Sequence, residues 1–233
     1  MMTRRNFLRL TGGAAFAQAS TKPNVLLILI DDMGYADIGC FGAKDIRTPN
    51  IDRLAREGAK LTDCYSNGPV CTPTRCGLMT GRYQQRFGLE WALGPGMKGY
   101  GLHASNNTIA RYLQRAGYKT GMFGKWHLGY EPEVGPNRHG FDEFYGLLSG
   151  NVDHYSHKEI NGEEDWFENT TPVKVDGYST ELLRDRALGF LDRHAGGPFF
   201  VYLPFNAVHW PFQGPRKPGD VRQRPTWFRG GRE

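Results

Sequence analysis

Short apolar runs alternate along this chain with segments of helical periodicity, and this alternation is what most constrains the fold. The first run, Val25–Ile30, is continuously apolar, which predicts a strand buried on both faces. Further strands are predicted at residues 59–65, 118–123 and 198–203, and helices at residues 50–57, 107–116 and 180–194. Strands that alternate with helices predict an α/β domain with a largely parallel sheet flanked by helices.

Polar and reactive side chains follow the predicted strands at the points where the strands end. In a parallel sheet the carboxyl ends of the strands meet at one edge, and functional sites lie just beyond that edge. We therefore expect residues that are far apart in the sequence to share one site. In chain order they are Asp31, Asp32, Cys71, Lys125, His127 and His209.

Residues 131–178 differ from the rest of the chain. They are rich in polar and loop-forming residues and include an acidic run at residues 163–165. We expect irregular structure there, together with a short hairpin.

Residues 1–19 have the composition of an export signal. Arg4 and Arg5 precede an apolar stretch that is rich in glycine and alanine. The stretch ends in Ala17-Gln18-Ala19, which has the small-x-small form of a signal-peptidase site. The pattern resembles a twin-arginine signal peptide, which predicts export by the twin-arginine machinery to the periplasm or the outside of the cell. A disordered basic tail is the alternative.

Net charge, hydropathy and cysteine spacing exclude several classes of function. The formal net charge of +5 falls to +2 when the three arginines of residues 1–19 are removed, which does not indicate a nucleic-acid partner. A local basic pocket for an anion remains compatible with that charge. No run of about 18 apolar residues occurs, so no transmembrane segment is predicted. The four cysteines lack the spacing of zinc ligands.

The acidic pair Asp31-Asp32 is the first candidate site. Two carboxylates at the end of a buried strand are costly to desolvate unless they are paired or bound to a cation. Oxygen ligands of this kind suit a hard divalent ion. A turn or a helix cap is the alternative interpretation of the same residues.

The most specific motif occupies residues 71–82, which read CTPTRCGLMTGR. This segment resembles the signature of the type I, formylglycine-dependent sulfatases of the alkaline-phosphatase-like superfamily. Cys71, Pro73 and Arg75 match the pattern, and Thr74 stands where the family more often has Ser or Ala. The residues alone leave open a buried structural cysteine before a helix.

The resemblance implies that a maturation enzyme oxidises Cys71 to formylglycine. An aldehyde hydrate offers one hydroxyl to attack sulfur and a second to expel sulfate afterwards, which divides the reaction into two easier steps. Arg75 would hold the hydrate and its developing charge. A helix that starts near Thr74 would turn its positive end toward the anion.

Residues 117–129 resemble the second sulfatase signature. The resemblance implies that Lys125 binds the sulfate and that His127 forms a hydrogen bond with the formylglycine hydroxyl. In an extended segment Lys125 and His127 would lie on the same side, with Trp126 pointing away. The end of a surface strand is the alternative.

For His209 the resemblance implies a direct role in the reaction. His209 would contact sulfate and act as the general acid for the leaving oxygen, with a structural histidine as the alternative. His139 matches a family block but is interpreted as structural. His103, His154 and His157 are assigned to the lining of the substrate pocket.

The resemblance covers residues 23–233 and implies an alkaline-phosphatase-like sulfatase fold that is incomplete at its C-terminus. The family carries a later Asp-Asn pair and a further Lys, and no such motif follows His209. Asp31, Asp32 and the modified Cys71 would therefore hold one calcium ion in an incomplete shell. We expect a truncated N-terminal part of the catalytic domain that binds calcium poorly and hydrolyses little by itself.

The leading hypothesis is a sulfuric-ester hydrolase that acts on an organic sulfate, with sulfated carbohydrates among the candidate substrates. A phosphatase or phosphodiesterase of the same superfamily is one alternative, but those enzymes use Ser or Thr where this chain has Cys71. A degenerate sulfatase-like protein that only binds anions or carbohydrates is the other. The presence of all these reactive residues argues against a catalytic site that has been lost. The expected truncation argues for such a loss.

Overall fold

A computed structural model describes residues 22–215, so the proposed signal peptide at residues 1–19 lies outside the described residues. The strands are β1 (Val25–Ile30), β2 (Lys119–Lys125), β3 (Glu143–Leu147), β4 (Phe167–Glu168), β5 (Thr171–Pro172) and β6 (Phe199–Phe205). The α-helices are α1 (Pro49–Glu57), α2 (Cys71–Thr80), α3 (Ile109–Arg115) and α4 (Ser179–His194). Short 3-10 turns lie at Tyr35–Asp37, Gly39–Phe41, Gln84–Phe87, Pro132–Val134 and Pro136–His139.

The strands form one sheet in the order β1-β6-β2-β3-β4-β5. The four strands β1, β6, β2 and β3 run parallel, and β4 and β5 add antiparallel pairs at one edge. In the register, Ile30 at the end of β1 is opposite Phe205 at the end of β6. The carboxyl ends of β1 and β6 are therefore level, which brings the segments after these two strands together.

Apolar side chains fill both faces of the sheet. Along β6, Phe200 and Tyr202 belong to one buried cluster and Val201 and Leu203 to the other, as the alternation of a strand requires. Helices α2 and α3 contribute to the first cluster and α4 to the second. The result is a sheet between two helical layers, which confirms the predicted α/β class.

The helices predicted from periodicity are confirmed, and the boundaries differ by one or two residues. The helix predicted at residues 50–57 begins one residue earlier, at Pro49, where proline suits the first helical turn. The strands predicted at residues 118–123 and 198–203 correspond to β2 and β6 and extend further at their carboxyl ends. None of the helices within residues 22–215 has the length and apolarity that crossing a bilayer requires.

Two expectations about the first part of the chain are wrong. Residues 59–65 form no strand, and Leu61 and Tyr65 point their apolar side chains into solvent, 67% and 84% exposed. Strand β1 is not buried on both faces either, since Leu26 and Ile28 are 47% and 46% exposed. Within residues 22–215, β1 is an edge strand that pairs only with β6, and no helix covers its outer face.

Residues 131–178 contain the expected hairpin, which is the antiparallel pair β4–β5. They also contain β3, a strand of the parallel sheet that was not predicted. Its sequence EFYGL is short and includes a glycine, so its apolar pattern is weak. The glycine is required, because a Cβ at Gly146 would overlap the backbone of Gly124 on the neighbouring strand. Close backbone approach to β2 is thus what defines β3.

Candidate active site

The candidate residues lie where the parallel strands end. Asp31 directly follows β1, and its backbone is tied to the segment after β6 by two hydrogen bonds. Its N–H donates to the carbonyl of Ala207 at 3.0 Å, and its carbonyl accepts from the N–H of Val208 at 2.9 Å. These bonds extend the β1–β6 pairing beyond the sheet and place Asp31 beside the segment that carries His209.

A buried cluster of three charged side chains forms the centre of the site. Lys125, the last residue of β2, donates from Nζ to Oδ2 of Asp31, and Nη2 of Arg75 lies 3.4 Å from Oδ1 of the same carboxylate. Arg75 also donates from Nη1 to the carbonyl of Lys125. All three side chains are almost completely buried. Residues from β1, α2 and β2 are thus in direct contact. The shared strand edge predicts this for Asp31 and Lys125, and α2 adds Arg75, which the motif singled out.

The surroundings set the charge states of this cluster. Burial alone would raise the pKa of Asp31, but Lys125 and Arg75 outweigh it and hold that pKa below its ordinary value. Burial, together with the like charge of Arg75, lowers the pKa of Lys125, and Asp31 opposes that shift. One carboxylate therefore stands between two cations, which leaves the cluster with a positive surplus.

Cys71 is the first residue of α2. The chain enters the helix through Val70 in extended conformation, Pro73 fits the first turn, and the helix ends at Gly81, whose φ of 65° is left-handed. The helix predicted to start near Thr74 thus starts three residues earlier. The half-buried Cys71 is near enough to Lys125 to oppose, as Asp31 does, the lowering of that lysine's pKa by burial. It therefore lies at the positive end of a helix and beside a buried cation.

His127 is buried, and its ring is held by a hydrogen bond at one of its two nitrogens. Its Nε2 lies 2.8 Å from the carbonyl oxygen of Leu93, and its Nδ1 has no hydrogen-bond partner among the described residues. Burial lowers the pKa of His127 well below its ordinary value, and the nearby Lys125 adds to that shift. The ring is therefore neutral at pH 7. Trp126 points into the apolar core, as predicted, but the segment is not extended throughout, because His127 has a left-handed φ of 56°.

His209 and Asp32 form the more open part of the site. Nε2 of His209 lies 3.7 Å from Oδ2 of Asp32, whose side chain is 63% exposed. The ring of His209 stacks on Trp210 with 5.4 Å between centroids, and its Nδ1 lies 2.6 Å from the carbonyl oxygen of Trp210. His209 is half-buried and so remains accessible to solvent.

The other histidines lie apart from the buried cluster. His139 is packed against Trp126, with Nε2 3.0 Å from the carbonyl oxygen of Leu102, and burial lowers its pKa to about 4, in keeping with a structural role. His154 is buried against Ser179, and burial lowers its pKa to about 4 as well. His157 is buried against Trp166, and His103 bonds to Ser105 at the surface. Their assignment to a substrate pocket stays a prediction.

The residues present fit a hard metal ion only in part. Asp31 and Asp32 supply carboxylate oxygens, the donors that calcium prefers, but both oxygens of Asp31 are engaged by cations. Among residues 22–215 no group of three or more His, Cys, Asp or Glu side chains converges as a metal site would require. The thiol of Cys71 is a soft ligand, and it would suit calcium only after oxidation to an oxygen-bearing group.

The structure also brings polar groups to the site that the sequence did not single out. Asn206 directly follows β6, is buried and donates to the carbonyl of Val152 at 3.3 Å, and its Oδ1 has no hydrogen-bond partner in the described part of the chain. Its position after a strand, like that of Asp31, was a usable signal. The backbone carbonyl of Leu93 gave none, because a backbone group carries no mark in the sequence.

The parallel sheet gathers a carboxylate, two buried cations and a cysteine at a helix N-terminus, an arrangement whose positive surplus suits an anionic group. Comparison with known proteins identifies the family. The sequence model of the family described as Sulfatase matches residues 23–226, so the chain belongs to the sulfatase family, as the motifs indicated. The fold is that of the alkaline-phosphatase-like hydrolases, which appear among the structural neighbours beyond the sulfatases.

Individual relatives agree with the family. The chain is 37% identical over 205 residues to arylsulfatase J of Mus musculus, with 84% of the chain and 34% of the relative covered. It is 34% identical over 218 residues to N-acetylgalactosamine-6-sulfatase of Homo sapiens, with 85% and 42% covered. The solved structure of Ps i-CgsB in complex with k-i-k-neocarrahexaose is 38% identical in sequence to this chain, with a TM-score of 0.77. The match covers 83% of this chain and 47% of that one. The chain therefore spans less than half the length of these relatives.

Proposed function

We propose that this chain carries the nucleophile and the anion-binding residues of a sulfuric-ester hydrolase, with Cys71 as the precursor of formylglycine. The observation that carries the proposal is the buried contact of Asp31 with Arg75 and Lys125, beside Cys71 at the start of α2. Family membership supplies the reaction class, and this cluster supplies the residues that would perform it.

The charges of the cluster suit a sulfate group. Two buried cations share one carboxylate, and the N-terminus of α2 adds a partial positive charge. A site that is preorganised in this way and shielded from water stabilises charge that develops on the transferring sulfuryl oxygens. Lys125 would therefore contact the sulfate. Asp31 would keep both Lys125 and Arg75 charged in their buried environment.

Formylglycine at position 71 would supply a hydrated aldehyde whose hydroxyl attacks sulfur. The residues around it would orient the nucleophile and transfer protons. Arg75 lies one turn along the same helix and would orient the oxygen of residue 71. His127 is neutral, and its Nδ1 has no partner within residues 22–215. Nδ1 would therefore accept a hydrogen bond from residue 71 and would not donate one. His209, half-buried and near Asp32, would donate a proton to the leaving oxygen.

Calcium would be held by the oxygens of Asp31 and Asp32 and by the oxidised side chain of residue 71. When bound, the ion would polarise sulfate oxygens as a Lewis acid. Calcium takes six or more oxygens, so further ligands would come from outside residues 22–215, from substrate or from water. Asp32 is the more available of the two carboxylates, because the oxygens of Asp31 already contact Lys125 and Arg75.

We further propose a sulfated carbohydrate as the substrate class. The names of a human relative and of a solved neighbour both refer to carbohydrates, an N-acetylgalactosamine and a neocarrahexaose. A formylglycine-generating enzyme would be the maturation partner, and the export signal of residues 1–19 would direct the chain to the periplasm or the outside of the cell.

Mass spectrometry of the peptide that contains residue 71 tests the proposal. The chain is expressed with and without a formylglycine-generating enzyme and digested with trypsin, which cleaves after Arg75 and so separates Cys71 from Cys76. We expect an aldehyde at position 71 and an intact thiol at Cys76, which is fully buried in the same helix. Fragment ions distinguish Cys71 from Cys64 in the same peptide. A thiol at position 71 after co-expression would overturn the mechanism.

A second candidate function is binding of a sulfated ligand without hydrolysis. The observation that favours it is that both oxygens of Asp31 are engaged by Arg75 and Lys125, so this carboxylate is paired with charge without a metal ion. Such a protein would bind a sulfated sugar, release no sulfate, and bind as well after Cys71→Ala. Hydrolysis that disappears in Cys71→Ala would exclude it, and preferential hydrolysis of an aryl phosphate would point to a phosphatase instead.

A further inference from the structure

We infer that the backbone carbonyl of Leu93 fixes which nitrogen of His127 carries the proton, and that Thr72 is the positioning residue that holds Leu93 and His127 in place. The inference rests on the proposed function, because it assigns His127 its role toward the nucleophile. It goes beyond that function by naming two groups, one side chain and one backbone carbonyl, that set this role.

The tautomer follows from the chemistry of the contact. The carbonyl oxygen of Leu93 can only accept a hydrogen bond, and it lies 2.8 Å from Nε2 of His127. Nε2 must therefore carry a proton. A neutral imidazole has only one such proton, so Nδ1 is left with a free lone pair.

The surroundings of the ring reinforce this arrangement. Nδ1 is buried and has no partner among residues 22–215, so it remains available as an acceptor. Gly150 closes the space beside the ring, since a Cβ at that position would lie 2.7 Å from Cε1 of His127. The ring therefore has little freedom to turn over, a motion that would put Cε1 in place of Nε2 and Cδ2 in place of Nδ1.

Thr72 connects the two partners through a single hydroxyl. Its Oγ1 donates to the carbonyl of His127 at 3.0 Å and accepts from the N–H of Leu93 at 3.1 Å. Both functions of the hydroxyl are used, and the side chain is completely buried. Because Thr72 directly follows Cys71, it also fixes the spacing between the nucleophile and the backbone of His127.

Tyr130 supports the same carbonyl from another side. Its hydroxyl donates to the carbonyl oxygen of Leu93 at 3.1 Å, and burial raises the pKa of Tyr130, so that it stays a donor. Leu93 is thus held at its N–H by Thr72 and at its oxygen by Tyr130. A carbonyl fixed at both sides keeps a constant distance to His127.

The consequence is a histidine that faces the site only as an acceptor. The oxidised residue 71 would present hydroxyl donors, and an unprotonated Nδ1 is the complement to such a donor. In the opposite tautomer, Nδ1–H would compete for the lone pairs of the attacking oxygen. The order Cys71-Thr72 thus places the nucleophile and the residue that sets its acceptor next to each other.

Nitrogen NMR tests the tautomer without any need for catalysis. The full chain is labelled with ¹⁵N in its seven histidines, and long-range proton–nitrogen correlations are recorded at pH 7. Signals of His127 are assigned by their absence in His127→Gln. We expect a proton on Nε2 and a bare Nδ1. A proton on Nδ1, or averaging between the two forms, would overturn the inference.

Variants test the role of Thr72. Thr72→Ser keeps the hydroxyl and should preserve the tautomer signals, whereas Thr72→Val removes it and should produce a mixture of tautomers. Thr80→Val is the matched control, because the Thr80 hydroxyl bonds only within the helix end and its neighbouring turn. Unchanged His127 signals in Thr72→Val would refute the positioning role. If Thr72→Val does not fold, Tyr130→Phe should speed hydrogen exchange of Nε2–H, and an unchanged rate would refute the bracing of Leu93.

Kinetics separate the inference from the proposed function. With the matured chain and 4-methylumbelliferyl sulfate, Thr72→Val should lower kcat by about 100-fold with little change in KM, because a misplaced acceptor affects the reaction more than binding. Thr72→Ser should restore most of the rate. Because the chain is expected to hydrolyse little by itself, its rate is compared with that of Cys71→Ala. If the matured wild-type chain is no faster than Cys71→Ala, the proposed function fails, while the NMR result still decides the tautomer.

Discussion

Removing the central carboxylate should destabilise the protein more than removing either of the cations that contact it. Asp31→Asn leaves Arg75 and Lys125 buried side by side without a counterion, whereas Lys125→Met leaves Asp31 paired with Arg75. The difference between the two variants therefore reports whether the cluster is held by its one negative charge.

The magnitude follows from the geometry. At 3.4 Å and an effective dielectric constant of about 20, the attraction between Asp31 and Arg75 is about 5 kcal/mol before desolvation is subtracted. Breaking a buried ion pair by removing one partner costs about 3–5 kcal/mol. We expect Asp31→Asn to lower the free energy of unfolding by about 4 kcal/mol, and Lys125→Met by about 1–2 kcal/mol, since its remaining pair is still balanced.

Urea unfolding followed by tryptophan fluorescence measures both values, with EDTA present so that no calcium contributes. The pH dependence gives a second check. The folded pKa of Asp31 is below its ordinary value of 3.8, so its contribution is complete above pH 3.8 and is lost as pH falls through the folded pKa. The cost of Asp31→Asn should therefore be constant between about pH 5 and 7 and shrink only below 3.8. An Asp31→Asn variant as stable as Lys125→Met would refute the reasoning.

Three further predictions address the strand ends, the general acid and the sheet edge. Gly124→Ala should unfold the protein or lower the free energy of unfolding by more than about 3 kcal/mol in thermal melts, because a Cβ there would overlap the carbonyl of Pro204. Gly94→Ala is the control and should leave the free energy of unfolding unchanged, because the space around Gly94 is open. His209→Gln should lower kcat about 100-fold for a sugar sulfate but much less for nitrophenyl sulfate, whose leaving group needs no proton; equal losses would contradict a general acid. Leu26→Thr should change the free energy of unfolding by less than about 0.5 kcal/mol, because the side chain is exposed, and a larger loss in urea titrations would show that its face is covered.

The sequence was most informative where local pattern and topology act together. Asp31, Lys125 and the segment of His209 were predicted to meet because each follows a strand, and the parallel register of β1, β6 and β2 brings them together. Arg75 was found through its motif, and its contact with Asp31 follows from the position of α2 beneath the same edge. These placements depend on periodicity and strand order, which a sequence displays directly.

The errors lie where tertiary contacts decide. Strand β3 has a weak pattern of its own and exists because its backbone pairs closely with β2, a contact far away in sequence. Residues 59–65 have a strand-like pattern, but residues 22–215 provide no strand that pairs with them, and they are irregular there. The carbonyl of Leu93 could not be anticipated, because every residue has one and only the fold selects which carbonyl meets His127.

The central claim is that residue 71, once oxidised, performs the hydrolysis. Preparations matured to different extents can be compared by measuring the aldehyde fraction at position 71 and the rate of aryl sulfate hydrolysis in the same sample. We expect the rate to be proportional to the aldehyde fraction, to fall to zero with it and to be absent in Cys71→Ala. Hydrolysis that persists in the unmatured chain, or in Cys71→Ala, would contradict it.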